Sequence, residues 1–104
     1  MDDDGDDNGD GCLATRAVLE RPSSVFQYKH EIYIGQNARS GIRKIDPYGI
    51  ITTIPDRNAC IITDSIFVHN DEVYYTNVYH LLCKIQCNGM TKTIAGLYNI
   101  SGIL

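Results

Sequence analysis

The stretch EIYIGQNARSGIRKIDPYGIITTI, residues 31–54, recurs in the same chain as EVYYTNVYHLLCKIQCNGMTKTI, residues 72–94. The copies align at an offset of 41 residues and, after a loop that is one residue shorter in the second copy, at an offset of 40. A match that keeps its order through such a change of offset indicates an internal repeat. The identical pairs are Phe26 and Phe67, Glu31 and Glu72, Tyr33 and Tyr74, Lys44 and Lys84, Ile45 and Ile85, Gly49 and Gly89, Thr53 and Thr93, and Ile54 and Ile94.

Each copy divides into four short segments with the composition of β-strands. The segments are apolar or β-branched, and polar turns such as DPYG (46–49) separate them. In that turn, Pro47 presets φ and Gly49 suits the closing position. No stretch after residue 20 shows the 3.6-residue apolar period of a helix. The predicted strands are 24–28, 31–35, 41–46, 49–54, 65–69, 72–76, 81–86 and 89–94.

Four antiparallel strands per unit of about 40 residues is the pattern of a β-propeller blade. The chain resembles NHL-repeat proteins, whose repeat reads approximately dG-x-vYvaD, then N-h-R-IrKi, then G-i-i-TiaG. The resemblance covers residues 9–104, and the IRKI…G…TTI segment within 42–54 is its most specific part. It implies blades arranged around a central channel, so two repeats form part of a larger ring. We therefore expect an all-β fold, a partial β-propeller with two four-stranded antiparallel blades of NHL type.

The acidic opening stretch DDDGDDNGDG, residues 2–11, matches the first half of an EF-hand calcium loop read from Asp4. The twelfth position of that loop, which supplies a bidentate Glu, is Thr15 here, so we expect no calcium binding. The segment NGDGCLATRAVLERPSSV, residues 8–25, instead resembles the connector that many multi-repeat NHL proteins carry between blades. The expected divisions are an acidic disordered tail at 1–10, an inter-blade connector at 11–23, NHL repeat 1 at 24–63, and NHL repeat 2 with the start of the next connector at 64–104.

Charge and cysteine spacing limit the possible chemistry. The net charge is −4, yet residues 1–10 hold six Asp, and the rest of the chain has nine Lys and Arg against seven Asp and Glu. That balance disfavours a nucleic-acid binder, which normally carries a concentrated basic patch. Cys83 and Cys87 in CKIQC would lie about 13 Å apart along a strand, too far for a disulfide or a shared metal ion. We expect reduced, unligated cysteines, no metal and no cofactor.

From the sequence we expect neither a membrane span nor a secretory signal. No apolar run approaches the roughly 18 residues that span a bilayer, and the amino terminus is acidic where a secretory signal would be basic. The compartment stays unknown from the sequence, although an intracellular protein without a membrane partner is favoured.

The sequence favours a non-catalytic interaction scaffold over an enzyme. It contains no G-x-S-x-G, phosphate-binding or dinucleotide-binding pattern. The expected partner is a protein; the alternatives are an RNA-binding NHL fragment, which the charge disfavours, and a fragment of a propeller lyase. The loops after the second strand of each repeat occupy equivalent positions and should emerge on one side of the ring. They supply the candidate binding residues Gln36, Asn37, Arg39, Asn77, Tyr79 and His80.

Two expectations concern exposure. Four basic side chains form either a weak basic stripe or, as we expect, the solvent-exposed faces of alternating strands; they are Arg43, Lys44, Lys84 and Lys92. Two blades share one interface, so the outer faces should leave apolar strand residues at least partly uncovered, and further blades or self-association should be needed to complete the ring. Depending on the face to which each side chain points, the uncovered apolar residues should include ones such as Ile32, Ile34, Ile51, Val73 and Tyr75.

Overall fold

The computed structural model describes residues 9–38, 41–54, 63–77, 81–85 and 90–96. These residues form two four-stranded antiparallel sheets, ordered β1-β2-β3-β4 and β5-β6-β7-β8, and one 3-10 turn at Ala14–Arg16. The strands are β1 Pro22–Tyr28, β2 Glu31–Gln36, β3 Ile42–Ile45, β4 Ile51–Thr53, β5 Thr63–His69, β6 Glu72–Asn77, β7 Leu82–Ile85 and β8 Thr91–Ala95.

The predicted fold class is confirmed. Each of the eight strands lies within two residues of its predicted bounds, and each repeat forms one sheet in sequence order. None of the described helices is long and apolar enough to cross a membrane.

The turns explain why the strands end where they do. Asn70 and Asp71 join β5 to β6 with φ of 51° and 64°, the left-handed values that a tight two-residue hairpin requires. Between β3 and β4, the Gly49 amide donates to the Asp46 carbonyl at 2.9 Å, as the DPYG turn predicts. The Asp46 carboxylate accepts from the amide of Tyr48 at 2.9 Å, so this side chain also stabilises the turn.

The two sheets pack face to face through their first strands. The Ser23 hydroxyl lies 3.2 Å from the Gly35 carbonyl and 3.0 Å from the Thr63 carbonyl of the second sheet. At the other end, the Asp71 amide donates to the Tyr28 hydroxyl at 2.8 Å. Because both contacts join corresponding ends, β1 and β5 run side by side in the same direction. The buried core between the sheets contains Tyr33, Ile42, Ile66, Val68, Val73, Tyr75, Cys83 and Ile85.

The segment 9–21, called the connector below, covers part of the opposite face of the first sheet. The Gly11 amide donates to the Ile51 carbonyl at 2.8 Å, and the Ala14 amide donates to the Gly49 carbonyl at 2.7 Å. Gly9 is buried, and Asp10 forms an ion pair with Arg43 at 3.1 Å. These two residues therefore differ from the disordered tail expected for 1–10, while residues 1–8, including the calcium-loop positions before Gly9, lie outside the described part of the chain.

The expected exposure of Arg43 is wrong. Its side chain is 1% exposed beneath the connector, where it donates to the Val18 carbonyl at 2.9 Å and pairs with Asp10. The charge is tolerated there because hydrogen bonds and an opposite charge replace its hydration.

Four of the five apolar residues named as examples for exposure are buried, so these four point to covered faces. Ile34 and Ile51 are 8% and 1% exposed in the first sheet, whereas Val73 and Tyr75 belong to the core between the sheets. Ile51 pairs with the connector through its backbone, a contact that strand alternation does not reveal. Ile32 is 38% exposed, as expected.

A polar network explains three of the identities in the repeat. The Tyr33 hydroxyl donates to Glu31 at 3.0 Å, and Lys44 pairs with the same carboxylate at 3.3 Å. Burial, followed by the hydrogen bond to Glu31, raises the pKa of Tyr33 to about 12. The same arrangement recurs in the second sheet, where the Tyr74 hydroxyl and the Lys84 amine lie 3.3 and 3.4 Å from Glu72.

Candidate binding edge

The ends of β2 and β6 lie at the same edge of the two packed sheets. Gln36 pairs with Pro22 at the start of β1, and Asn77 pairs with Thr63 at the start of β5. Since Ser23 contacts the Thr63 carbonyl, the starts of β1 and β5 are adjacent, and the two loop bases are therefore neighbours. We call this region, formed by residues 20–23, 36–37, 63–64, 77 and 81, the loop edge.

Gln36 supports the first loop from inside. It is 1% exposed, and its side-chain oxygen accepts a hydrogen bond from the Glu20 amide at 3.1 Å. The backbone amide of Gln36 donates to the Gly41 carbonyl at 2.6 Å, which closes the base of the loop. A side chain this buried cannot contact a partner directly, so the interpretation of Gln36 as a contact residue is corrected to one of support.

Asn37 fastens the loop to the connector. Its amide donates to the Arg21 carbonyl at 2.9 Å, and the Arg21 side chain donates back to the Asn37 carbonyl at 3.1 Å. Arg21 has a φ of 45°, a left-handed value that is uncommon for a residue with a side chain. The exposed Arg21 was missed by the sequence analysis, although its place directly before Pro22 was a signal of an extended or turn conformation.

Asn77 plays the corresponding part in the second loop. The side-chain oxygen of Asn77 accepts a hydrogen bond from the Leu81 amide at 3.2 Å. The backbone amide of Asn77 donates to the Leu81 carbonyl, also at 3.2 Å. Such side-chain bonds to nearby backbone are typical of Asn in turns. The remaining predicted site residues, Arg39, Tyr79 and His80, lie outside the described residues.

A cleft of about 310 Å³ opens beside Asn77. Its apolar wall includes Leu81, Leu82 and Ala95, and Asp64 supplies an exposed carboxylate. Asp64 and this cleft were also missed, because the sequence analysis considered only the loops after β2 and β6 and not the start of β5. The cleft pairs an apolar surface with a few polar groups, a composition suited to binding.

The described residues show little that would support metal chemistry. Over 9–38, 41–54, 63–77, 81–85 and 90–96, no three His, Cys, Asp or Glu side chains come together as a metal site would require. Cys12 is free and exposed and Cys83 is free and buried, whereas Cys60 and Cys87 lie outside these ranges.

The fold has a counterpart among solved structures. The chain matches the crystal structure of virginiamycin B lyase from Staphylococcus aureus with a TM-score of 0.58 and 23% identity. The match covers 76% of this chain and 28% of that one, so the chain spans little more than a quarter of the neighbour. No family model matches the sequence. No curated protein is significantly similar to it.

At this identity the likeness concerns the fold alone. The neighbour is a β-propeller, and two four-stranded antiparallel sheets packed through their first strands are consistent with part of such a propeller. Membership in the NHL family stays a prediction from the sequence.

Proposed function

We propose that this chain is a non-catalytic interaction scaffold, built from two NHL-type blades, that binds a protein partner at the loop edge. The observation that carries the proposal is the pair of equivalent loop bases, at Gln36 and Asn77, each closed by its own hydrogen bonds at neighbouring strand ends. Loops with fixed ends can present side chains to a partner without a large loss of entropy on binding.

The charge at the loop edge favours a protein over RNA. Arg21 is exposed there, but the same edge also carries exposed acidic residues, Glu20 and Asp64. Binding to RNA phosphates gains from concentrated cations, whereas mixed charge beside an apolar cleft is usual in protein interfaces. Arg39, Tyr79 and His80 belong to the two loops, and Arg and Tyr are residue types that often dominate protein interfaces.

A lyase activity is not adopted. Virginiamycin B lyase is the name of the structural neighbour, and at 23% identity it contributes only the fold to this proposal.

The test is quantitative affinity capture from cells of the source organism with three baits. They are the wild type, the loop variant Arg39→Ala/Tyr79→Ala/His80→Ala, and the control Lys29→Ala/Asp71→Ala, whose exposed ion pair lies at the opposite edge. A protein retained by the wild type and the control but lost by the loop variant, and then bound directly when purified, supports the proposal.

Two results would count against it. Equal capture by all three baits would place the binding surface elsewhere. Tight binding of single-stranded RNA by fluorescence anisotropy, with no protein dependent on the loops, would favour the RNA alternative.

A further inference from the structure

Each sheet has an outward face, and the two outward faces differ. The open face, formed by Tyr74, Leu82, Ile94 and the exposed part of Phe67, is the side of the second sheet turned away from the first. The Phe67 ring also contacts Phe26 of the first sheet, with the ring centroids 5.2 Å apart. The rear face lies on the other side of the first sheet and consists of Val25, Ile32 and Ile34, with Leu19 of the connector beside them. Val25 and Ile32 are exposed there, whereas Ile34 is 8% exposed. Large apolar side chains are exposed on both: Phe67 51% and Ile94 45% on the open face, and Val25 68% and Leu19 41% on the rear face.

The contact inside the molecule shows what each face is shaped to meet. The first sheet packs on the second through Phe26, Tyr33, Ile42 and Ile54. By the repeat alignment, the same positions of the second sheet are Phe67, Tyr74, Leu82 and Ile94, which form the open face.

The partner side of that internal contact has its own repeat equivalent. Ile66, Val73 and Tyr75 of the second sheet receive the first sheet. Their equivalents are Val25, Ile32 and Ile34, which belong to the rear face. One chain therefore carries both halves of an interface that it has already formed once internally.

Both outward faces also have a depression near the loop edge. The cleft of about 310 Å³ includes Leu82 and Thr76 of the second sheet, and a second cleft of about 370 Å³ includes Leu19, Val25 and Ile34 of the first. Complementary faces on opposite sides of one molecule lead to head-to-tail association rather than to a symmetric pair.

We propose that a second copy of this chain docks its rear face on the open face, repeating the internal contact between the sheets. The contact goes beyond binding at the loop edge, although it would also cover the two clefts, whose linings include loop-edge residues such as Asn77 and Pro22.

One residue sets the spacing of this contact. Gly35 lies at the internal junction, where an added Cβ would stand 2.9 Å from side-chain carbons of both Thr63 and Ile66. Its equivalent on the open face is Thr76, whose hydroxyl is 2.9 Å from that of Ser65. The added side chain holds the second copy further away than the internal pair, so the association is weaker than the contact within the chain.

The test uses the 104-residue chain in sedimentation equilibrium over a wide concentration range. The wild type should associate, whereas Val25→Glu and Phe67→Glu should each be monomeric, because each places a charge in one half of the contact. Both residues are exposed in the chain, and unchanged circular dichroism and thermal melting would show that the variants fold. Tyr48→Glu, at a turn residue that is 85% exposed, is the matched control and should associate like the wild type.

Mixing the two variants tests the direction of the contact. Val25→Glu keeps an intact open face and Phe67→Glu keeps an intact rear face, so an equimolar mixture should form a dimer and nothing larger. A wild type that stays monomeric throughout, association by either variant alone, or a mixture that remains monomeric would each overturn the proposal.

Thr76→Gly tests the spacing. Removing the side chain should lower the dissociation constant roughly tenfold, equivalent to about 1.4 kcal/mol. Unchanged or weaker association in a folded Thr76→Gly variant would show that the faces do not stack as the internal pair does, and the proposed geometry would be wrong.

Discussion

The two sheets have nearly the same strands but different surroundings. Ile42 is fully buried in the first sheet, whereas Leu82 at the same repeat position is only half-buried in the second. Phe26 packs against the core, and its equivalent Phe67 is 51% exposed. The strands follow from the repeated sequence, but the burial of each position depends on which neighbour covers that face.

The opposite face shows the same dependence in its chemistry. Arg43 lies beneath the polar backbone of the connector, which offers the Val18 carbonyl and the Asp10 carboxylate. The equivalent position in the second sheet is Cys83, which packs in the apolar core against the first sheet. The same repeat position is therefore polar or apolar according to its cover.

Ile42→Ala should have the largest effect of the changes considered. Its side chain is 0% exposed, and its removal should lower the free energy of unfolding by about 3 to 4 kcal/mol. The matched change Leu82→Ala should cost ~1 kcal/mol, because that site is already partly hydrated in the native state. Urea denaturation at a protein concentration where the chain is monomeric measures both losses, and equal losses there would mean that the two sheets are equally covered within one chain.

Arg43→Ala should come next. The change removes a buried hydrogen-bonded charge and leaves the Val18 carbonyl without that donor, at a cost of about 2 to 3 kcal/mol. Lys44→Ala is the control on the neighbouring residue, where a partly exposed pair with Glu31 should contribute less than about 1 kcal/mol. Urea denaturation measures both losses of unfolding free energy. A loss for Arg43→Ala no larger than that for Lys44→Ala would contradict the position of Arg43 beneath the connector.

Alkaline pH should weaken the contact between the sheets. Tyr33 and Tyr75 both lie in the core, and burial is the main cause that raises the pKa of each to about 12. An unfolded tyrosine ionises near pH 10, so the folded state binds the proton more tightly. The contribution of these two tyrosines to the free energy of unfolding is therefore fully present below about pH 10. It is lost as the pH rises through about 12.

Unfolding free energies measured across that range should fall, and Tyr33→Phe should remove part of the fall. A flat profile for the wild type would contradict the burial of both hydroxyl groups.

The smallest expected effect separates the two copies of the polar network. At neutral pH, Tyr33→Phe should cost ~1 kcal/mol and Tyr74→Phe ~0.5 kcal/mol, since the first hydroxyl is more buried and its bond to a carboxylate is shorter. Thermal melting of the two single variants beside the wild type is sufficient. A larger loss for Tyr74→Phe would indicate that the open face is covered, as a docked second copy would cover it.

The sequence predicted the strands well for a local reason. Short hairpins are determined by nearby residues, such as Asn70 and Asp71 with their left-handed φ and Asp46 with its bonds to the following turn. The repeat alignment also brought Gln36 and Asn77 to one edge, because equivalent positions in two sheets packed side by side must lie together.

The missed features all depend on contacts distant in the sequence. Alternation along β3 places Arg43 on one face but does not say that the connector covers it. The burial of Gln36 likewise rests on a bond to Glu20, which is 16 residues away. Which segment covers each face of a sheet depends on tertiary packing, and the alternation of residues along a strand does not predict it.

The ion pair between Asp10 and Arg43 has a consequence for the order of folding. It joins residues 33 apart in the sequence, whereas the β1–β2 and β5–β6 hairpins close over two residues each. Local contacts form with less loss of chain entropy, so the hairpins should form early and the connector should dock on the first sheet last. An interaction absent from the transition state slows unfolding without speeding folding. The docked connector therefore slows unfolding, so that it lengthens the lifetime of the folded chain and leaves the folding rate unchanged.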